Sequence, residues 1–264
     1  MSSLTVSTVQ ADLIWENKEA NLQMLEDRLL NLRGMSELVV LPEMFSTGFS
    51  MQPEKLAETM DGPTVQWMKR ISARNNFILT GSLIIQSGEA YYNRLIWMMP
   101  NGEYGYYDKR HLFGFAEEDK HYTAGNKRLI ASVKGWRVLL QVCYDLRFPV
   151  WARQQINPES ATPEYDLIVY VANWPQRRSH AWKTLLCARA IENQSYVMGV
   201  NRVGIDGHQI YHSGDSLIID PMGEVLYHMP DKEDVFTLTL EKSQLEETRQ
   251  KLPFLKDADQ FRIL

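Results

Sequence analysis

The stretch LTVSTVQADLIWENKEANLQMLEDRLLNLRGMSELVVL, residues 4–41, contains three segments that together predict one unit of an α/β fold. Residues 4–9 are typical of a strand, and leucines at three- and four-residue spacing predict a helix over residues 17–33. The apolar run at residues 37–41 predicts a buried strand. The chain therefore opens with a strand, a helix and a second strand, which is a βαβ unit.

Strand and helix patterns continue to alternate outward from this unit. We predict helices at residues 63–74 and 179–193, and strands at 77–85, 90–99, 104–107, 128–133, 136–142, 166–172, 196–201, 213–219 and 224–228. Several strands flank turn-forming pairs such as Asn101-Gly102, which is typical of hairpins. Because crossover helices and hairpins occur in one chain, we expect mixed sheets covered by helices, a layered α/β sandwich.

Composition limits the function classes. The 264 residues are 44% hydrophobic and contain no linker-like or repeated segment, so we expect one domain over residues 1–264. With 28 Lys+Arg, 33 Asp+Glu and a net charge of −5, no charged block predicts a nucleic-acid or membrane partner. No apolar run of about 18 residues and no leader sequence is present, and the two cysteines suit a reducing compartment. We expect a cytoplasmic protein.

The segment VLLQVCYDLRFP, residues 138–149, is the most informative for chemistry. An apolar strand runs directly into Cys143, and Pro149 predicts a helix start that continues over residues 150–155. Such a turn projects the cysteine from the sheet, near backbone N–H groups and a helix end that would favour thiolate. The alternative is an inert apolar cysteine, which is how we interpret Cys187, within a predicted helix.

A nucleophilic cysteine needs a base, and none of the six histidines has the sequence context of a cysteine protease. Glu43 follows a buried strand in VVLPEMF, residues 39–45, at the sheet edge where open α/β sheets bind ligands. Lys109 follows a strand in YYDKRHLF, residues 106–113. If it points inward, it can stabilise a negatively charged intermediate. The alternatives are an exposed loop glutamate and a solvated charge run.

The order and spacing of Leu-Pro-Glu, Asp-Lys-Arg-His-Leu-Phe and Val-Cys-Tyr-Asp-Leu-Arg-Phe-Pro resemble the nitrilase, or carbon–nitrogen hydrolase, superfamily. The resemblance implies an αββα sandwich of two mixed sheets flanked by helices, usually a homodimer. It implies that Glu43 is the general base, Lys109 the oxyanion stabiliser and Cys143 the nucleophile. It also implies a second glutamate, which we assign to Glu118 rather than Glu117 from its distance to Gly125. The chemistry requires no metal and no organic cofactor.

Within the superfamily, FSTGF at residues 45–49, ANWP at 172–175 and ARAIEN at 188–193 resemble the omega-amidase branch. This resemblance implies a small-molecule amide substrate. Omega-amidases cleave the terminal amide of 2-oxo dicarboxylic acid monoamides, such as 2-oxoglutaramate and 2-oxosuccinamate, through a cysteine thioester.

We expect five residues to line the substrate site: Phe115, Tyr144, Arg147, Asn173 and Trp174. The backbone N–H of Tyr144 is expected to help Lys109 hold the oxyanion. A substrate carboxylate calls for a forked guanidinium, for which Arg147, Arg177 and Arg178 are candidates that the sequence does not separate.

Two other functions fit the same residues. A nitrilase or N-carbamoyl amidase would use the same three catalytic groups on a different substrate. A non-catalytic member would use the fold as a binding module, because function resides in the site and not in the fold.

Overall fold

A computed structural model describes residues 2–156 and 162–263. In chain order the strands are β1 (Ser3–Gln10), β2 (Leu38–Val40), β3 (Ile78–Ser87), β4 (Ala90–Met98), β5 (Tyr104–Asp108), β6 (Ile130–Val133), β7 (Trp136–Val142), β8 (Leu167–Ala172), β9 (Tyr196–Asn201), β10 (Val203–Ile205), β11 (Tyr211–Ile219), β12 (Val225–Pro230) and β13 (Asp234–Glu241). The helices are α1 (Lys18–Leu29), α2 (Pro53–Leu56), α3 (Pro63–Asn75), α4 (Glu118–His121), α5 (Pro149–Ala152), α6 (Ser179–Asn193) and α7 (Lys242–Lys251). None of these helices is both long and apolar enough to cross a bilayer.

The strands of the described residues form two mixed sheets. The first has six strands in the order β13-β1-β2-β3-β4-β5, with β1, β2 and β3 parallel and the others antiparallel. The second has seven, in the order β10-β11-β9-β8-β7-β6 with β12 beside β11. Its central strands β7, β8 and β9 are parallel.

The two sheets pack face to face, and helices cover their outer surfaces. Val6 and Val40 of the first sheet share one buried cluster with Val138 and Val169 of the second. A second cluster joins the outer face of the first sheet to α1 and α3, and a third joins the outer face of the second sheet to α6. These clusters stack as helix, sheet, sheet and helix, so the predicted αββα sandwich is confirmed.

The structure differs from the predicted elements in the length of two helices and in five elements that were not predicted. The helix predicted over residues 17–33 is α1, which ends at Leu29 and continues as a 3₁₀ turn. The helix predicted over residues 150–155 is only the short α5, ending at Ala152. The elements not predicted are α2, α4, β10, β13 and α7. Of these, β13 pairs along the whole of β1, and its Leu240 is buried between the sheets.

Candidate active site

Three of the four predicted catalytic residues lie just after the end of a strand. Glu43 follows β2, Lys109 is the first residue after β5, and Cys143 is the first residue after β7. Glu118 is the first residue of α4. A residue just beyond a strand is free of the sheet's alternation, so its side chain can point along the strand axis. The structure brings all four together.

Lys109 lies between two carboxylates in the interior. Its Nζ is 2.9 Å from Oε1 of Glu43, and 3.0 and 2.9 Å from the two carboxylate oxygens of Glu118. All three side chains are fully buried. We call these three residues the carboxylate–lysine cluster. One ammonium serves two acids, so the cluster carries one negative charge more than positive when every group is ionised.

Neutral donors hold the two carboxylates. The Asn93 amide donates to Oε1 of Glu43 at 2.8 Å and to Oε1 of Glu118 at 3.2 Å. The backbone N–H of Asn173 donates to Oε2 of Glu43 at 2.8 Å, and that of Phe113 to Oε2 of Glu118 at 2.6 Å. Because several donors fix each acid, both have defined positions before a ligand arrives.

The charges shift one another's pKa values. Burial disfavours the charged form of Lys109, but the carboxylates of Glu118 and Glu43 outweigh it and raise the lysine pKa above its usual range. Burial raises the pKa of Glu118, against the attraction of Lys109 and with the repulsion of Glu43. Lys109 therefore stays positively charged, whereas Glu118 binds a proton more readily than an ordinary glutamate.

Cys143 begins a 3₁₀ turn over Cys143–Arg147 and has a left-handed φ of +44°. Non-glycine residues rarely adopt this conformation, and strain of this kind concentrates at functional sites. Burial raises the pKa of its thiol well above the ordinary value, Glu43 adds to the rise, and Lys109 opposes it. The expectation of a favoured thiolate is therefore wrong. Burial beside the carboxylate of Glu43 disfavours the thiolate and outweighs the attraction of Lys109.

A buried network ties the turn of Cys143 to the segment that carries Lys109. Asp145 accepts hydrogen bonds from the Tyr107 hydroxyl at 2.7 Å, the His111 backbone N–H at 2.9 Å and the Val142 N–H at 3.0 Å. Tyr107 and His111 flank Lys109 in the chain. The carboxylate of Asp145 therefore fixes the spacing between the two segments.

Cys143 lies in a pocket of about 450 Å³ that contains all five predicted substrate-site residues: Phe115, Tyr144, Arg147, Asn173 and Trp174. The Arg147 guanidinium lies 5.0 Å from the Trp174 ring centre. Phe115 is 81% exposed. Their roles in binding remain predictions.

Three guanidiniums, those of Arg147, Arg177 and Arg178, line the same pocket. Arg178 lies 5.2 Å from the centre of the Phe113 ring. Burial and the neighbouring Arg177 lower its pKa, against the attraction of Cys143. This cationic wall suits an anionic group on a ligand.

The structure distinguishes Glu118 from its neighbour Glu117, and Cys143 from Cys187. Glu118 is buried against Lys109, whereas Glu117 is exposed and pairs with Lys120. Of the two glutamates, Glu118 is therefore the one that the structure places beside Lys109. Cys187 is half-buried in α6 and packs against the cluster beneath the second sheet, in agreement with a packing role.

Sequence reasoning missed Asn93 and Asp145. Asn93 is a fully buried polar residue in the strand AYYNRLIWM of β4, and a polar residue in such a strand is the pattern that could have drawn attention to it. Asp145 lay within the cysteine motif, but two of its donors, Tyr107 and His111, lie in or just after β5 of the other sheet. Among the described residues, no His, Cys, Asp and Glu side chains group in a way that could hold a metal ion.

Comparison with known proteins gives concordant matches. The family model "Carbon-nitrogen hydrolase" matches residues 5–250. Omega-amidase YafV of Escherichia coli strain K12 is 42% identical, and the match covers 100% of both chains. The 2-oxoglutaramate amidase of Bacillus subtilis strain 168 is 30% identical over 96% of each chain.

A solved structure has the same fold throughout. XC1258 from Xanthomonas campestris, a CN-hydrolase superfamily protein with an arsenic adduct in its active site, is 44% identical. It superimposes with a TM-score of 0.98 over 100% of both chains. The likeness therefore extends from one end of the chain to the other.

Proposed function

The chain belongs to the carbon–nitrogen hydrolase family, and from that premise we propose how its site acts on amides. It is an omega-amidase that hydrolyses the terminal amide of 2-oxo dicarboxylic acid monoamides, such as 2-oxoglutaramate and 2-oxosuccinamate. The products are the dicarboxylate and ammonia. The observation that carries this proposal is the position of Cys143, at one pocket with Glu43 and Lys109 behind it and guanidiniums around it.

In the acylation step, Glu43 accepts the thiol proton as the sulfur of Cys143 attacks the amide carbon. The raised thiol pKa requires this transfer to coincide with attack, because little thiolate exists beforehand. The carbonyl oxygen becomes an oxyanion, which Lys109 and the Tyr144 backbone N–H stabilise. Glu43 then returns the proton to the leaving nitrogen. The carbon–nitrogen bond breaks, ammonia departs and a thioester remains.

In the deacylation step, water attacks the thioester carbon and gives Glu43 a proton. The same donors stabilise the second oxyanion, and its collapse breaks the carbon–sulfur bond. The sulfur recovers the proton from Glu43, and the dicarboxylate leaves. Every proton gained by Glu43 in a half-reaction is released in that half-reaction, so the site returns to its starting state.

The residues that line the pocket favour a substrate with a carboxylate at the end opposite its amide. Arg147, Arg177 and Arg178 provide positive charge beside the thiol, and Phe115 and Trp174 provide apolar surface for the methylene groups. A charged guanidinium binds a carboxylate through two parallel hydrogen bonds. A neutral amide of equal length gains none of this binding.

A substrate panel tests the proposal. Purified protein is incubated separately with 2-oxoglutaramate, succinamate, butyramide, a dicarboxylic mononitrile and an N-carbamoyl amino acid, and released ammonia is measured. We expect rapid release from the first two and at least tenfold lower kcat/KM for butyramide. Cleavage of the nitrile or the carbamoyl compound alone would favour the alternative hydrolases. No cleavage of any compound would favour a non-catalytic binding module.

The assembly and location are further parts of the proposal. We propose a single domain over residues 1–264 that forms a homodimer in the cytoplasm, with no nucleic-acid or membrane partner. Exposed Val150 on α5 and Ile191 on α6 give the outer helical layer an apolar surface that a second copy can cover. Light scattering after size-exclusion chromatography tests the dimer. A mass of 30.6 kDa, that of one chain, would contradict it.

A further inference from the structure

Asn93, which lies outside the sequence motifs, contacts three of the candidate catalytic residues. Its side-chain nitrogen contacts Glu43 and Glu118, at 2.8 and 3.2 Å. Its backbone oxygen accepts the N–H of Lys109 at 3.0 Å. One residue on β4 therefore contacts both acids and the main chain of the lysine between them.

The orientation of the Asn93 amide is dictated by its neighbours. With the nitrogen toward Glu43 and Glu118, two N–H groups meet two acceptors. The reverse orientation would set the amide oxygen against two carboxylate oxygens. In the observed orientation Oδ1 is buried and has no hydrogen-bond partner among the described residues.

An unpaired buried acceptor is unfavourable, and in a native structure it calls for an explanation. Packing alone does not provide one, because an apolar side chain of similar size would fill the space with no unpaired oxygen. The unfavourable burial of Oδ1 is offset by the amide nitrogen, which stabilises two acids that share one ammonium.

We infer that Asn93 is a positioning residue for amide hydrolysis, holding Glu43 and Glu118 in fixed register with Lys109 by donating to both acids. The inference deepens the proposed function and rests on it. Asn93 does not touch the substrate carbonyl in this account. Its amide orients the carboxylate of Glu43 for proton transfer. By donating to both acids, it also offsets the repulsion between Glu43 and Glu118.

Two substitutions separate this role from a packing role. Asn93→Asp keeps the size and shape but replaces the donor by a third carboxylate, and Asn93→Leu removes the donor without adding charge. We expect kcat to fall by about tenfold to a hundredfold in Asn93→Leu with KM changed less than threefold, and further in Asn93→Asp. A packing role predicts the opposite order, because aspartate preserves the shape.

Asn193 supplies the matched control. It is as buried as Asn93, but its amide bonds to the Arg189 backbone oxygen in α6 and to the Gln154 N–H, away from the site. Asn193→Leu should lower the melting temperature while kcat of the folded protein stays within twofold. Should Asn93→Leu unfold, Asn93→Ser and Asn93→Ala are measured instead. Serine keeps a hydroxyl donor in less volume, so kcat should fall less in Asn93→Ser than in Asn93→Ala.

A second readout does not depend on amidase activity. Alkylation of Cys143 by iodoacetamide is followed against pH in wild type and in Asn93→Leu. The amide contacts the ionisable groups of Glu43 and Glu118. The charges of Glu43, Glu118 and Lys109 in turn act on Cys143 and Tyr122. Removing a positive dipole end makes each neighbouring anion less favourable, so the alkylation profile should move to higher pH.

The outcomes separate the two proposals. If wild type releases no ammonia from amides, the proposed function fails, and the alkylation profile still decides the role of Asn93. If wild type is active but Asn93→Leu keeps its kcat and its alkylation profile, the inference is overturned. A loss confined to stability, with kcat per folded molecule intact, would also overturn it.

Discussion

Two groups of charges surround buried acids in this protein, and the ratio of acids to cations is opposite in the two. The carboxylate–lysine cluster has two acids and one cation, Lys109. The second group, which we call the Asp166 cluster, has one acid and three cations, Arg137, Lys242 and Arg249, within 3.2 Å of the acid.

The two balances have opposite consequences for the acids. Burial opposes ionisation of Asp166, but hydrogen bonds from Arg137 and the charge of Lys242 outweigh it and lower the pKa. Burial and Glu43 raise the pKa of Glu118. A fully compensated acid stabilises the fold, whereas an uncompensated one is held ready to exchange a proton. The comparison assigns stability to the Asp166 cluster and chemistry to the carboxylate–lysine cluster.

Among substitutions in the two clusters, the largest expected effect comes from Lys109→Met. The substitution removes the oxyanion donor and leaves two buried carboxylates without a counter-charge. We expect kcat with succinamate to fall by about 10²–10³-fold, and stability to fall by about 3 kcal/mol because a buried pair is broken. Steady-state kinetics and urea unfolding measure the two effects. Activity within tenfold of wild type would contradict the role of this lysine.

A smaller effect on activity is expected for Glu118→Gln. The amide keeps the size of the side chain and one acceptor for Lys109, but removes the negative charge. We expect kcat to fall about tenfold, with a melting temperature within a few degrees of wild type. The control is Glu224→Gln, in which an exposed residue outside the pocket of Cys143 changes and kcat should stay within twofold.

Asp166→Asn should reverse that pattern. Three cations lose their common counter-charge, so we expect unfolding free energy to fall by about 3 kcal/mol at pH 7. Since Asp166 lies away from the pocket of Cys143, kcat should stay within twofold. A large loss of kcat in the folded variant would break the assignment of this cluster to stability.

The smallest effect is the pH dependence of that stability difference. The folded-state pKa of Asp166 is lowered below the ordinary value of 3.8, so its contribution is present above about pH 4 and is lost as pH falls through the folded pKa. The gap in unfolding free energy between wild type and Asp166→Asn should therefore shrink below about pH 4. A gap that stays constant from pH 7 to pH 3 would contradict the charge-based explanation.

The sequence predicts the strands that carry the site better than the contacts within it. Glu43 and Cys143 each follow an apolar strand and Lys109 follows a tyrosine-rich one, local patterns that can be seen without coordinates. Asn93, and the Tyr107 and His111 partners of Asp145, come from segments distant from the residues they contact, and only the packing of the sheets brings them close.

The same distinction explains β13, α7 and the wrong thiolate expectation. β13 belongs to the core because it pairs with β1 at the far end of the chain, a non-local contact that no window of sequence contains. The ionisation of Cys143 depends on burial beside Glu43, and burial is a property of the assembled pocket.

The most direct test of the central claim compares the two cysteines. Ammonia release from 2-oxoglutaramate is measured for wild type, Cys143→Ala and Cys187→Ala at equal folded concentration, with folding checked by circular dichroism. We predict loss of at least about 10³-fold for Cys143→Ala and activity within twofold of wild type for Cys187→Ala. Retained turnover in Cys143→Ala would contradict the account.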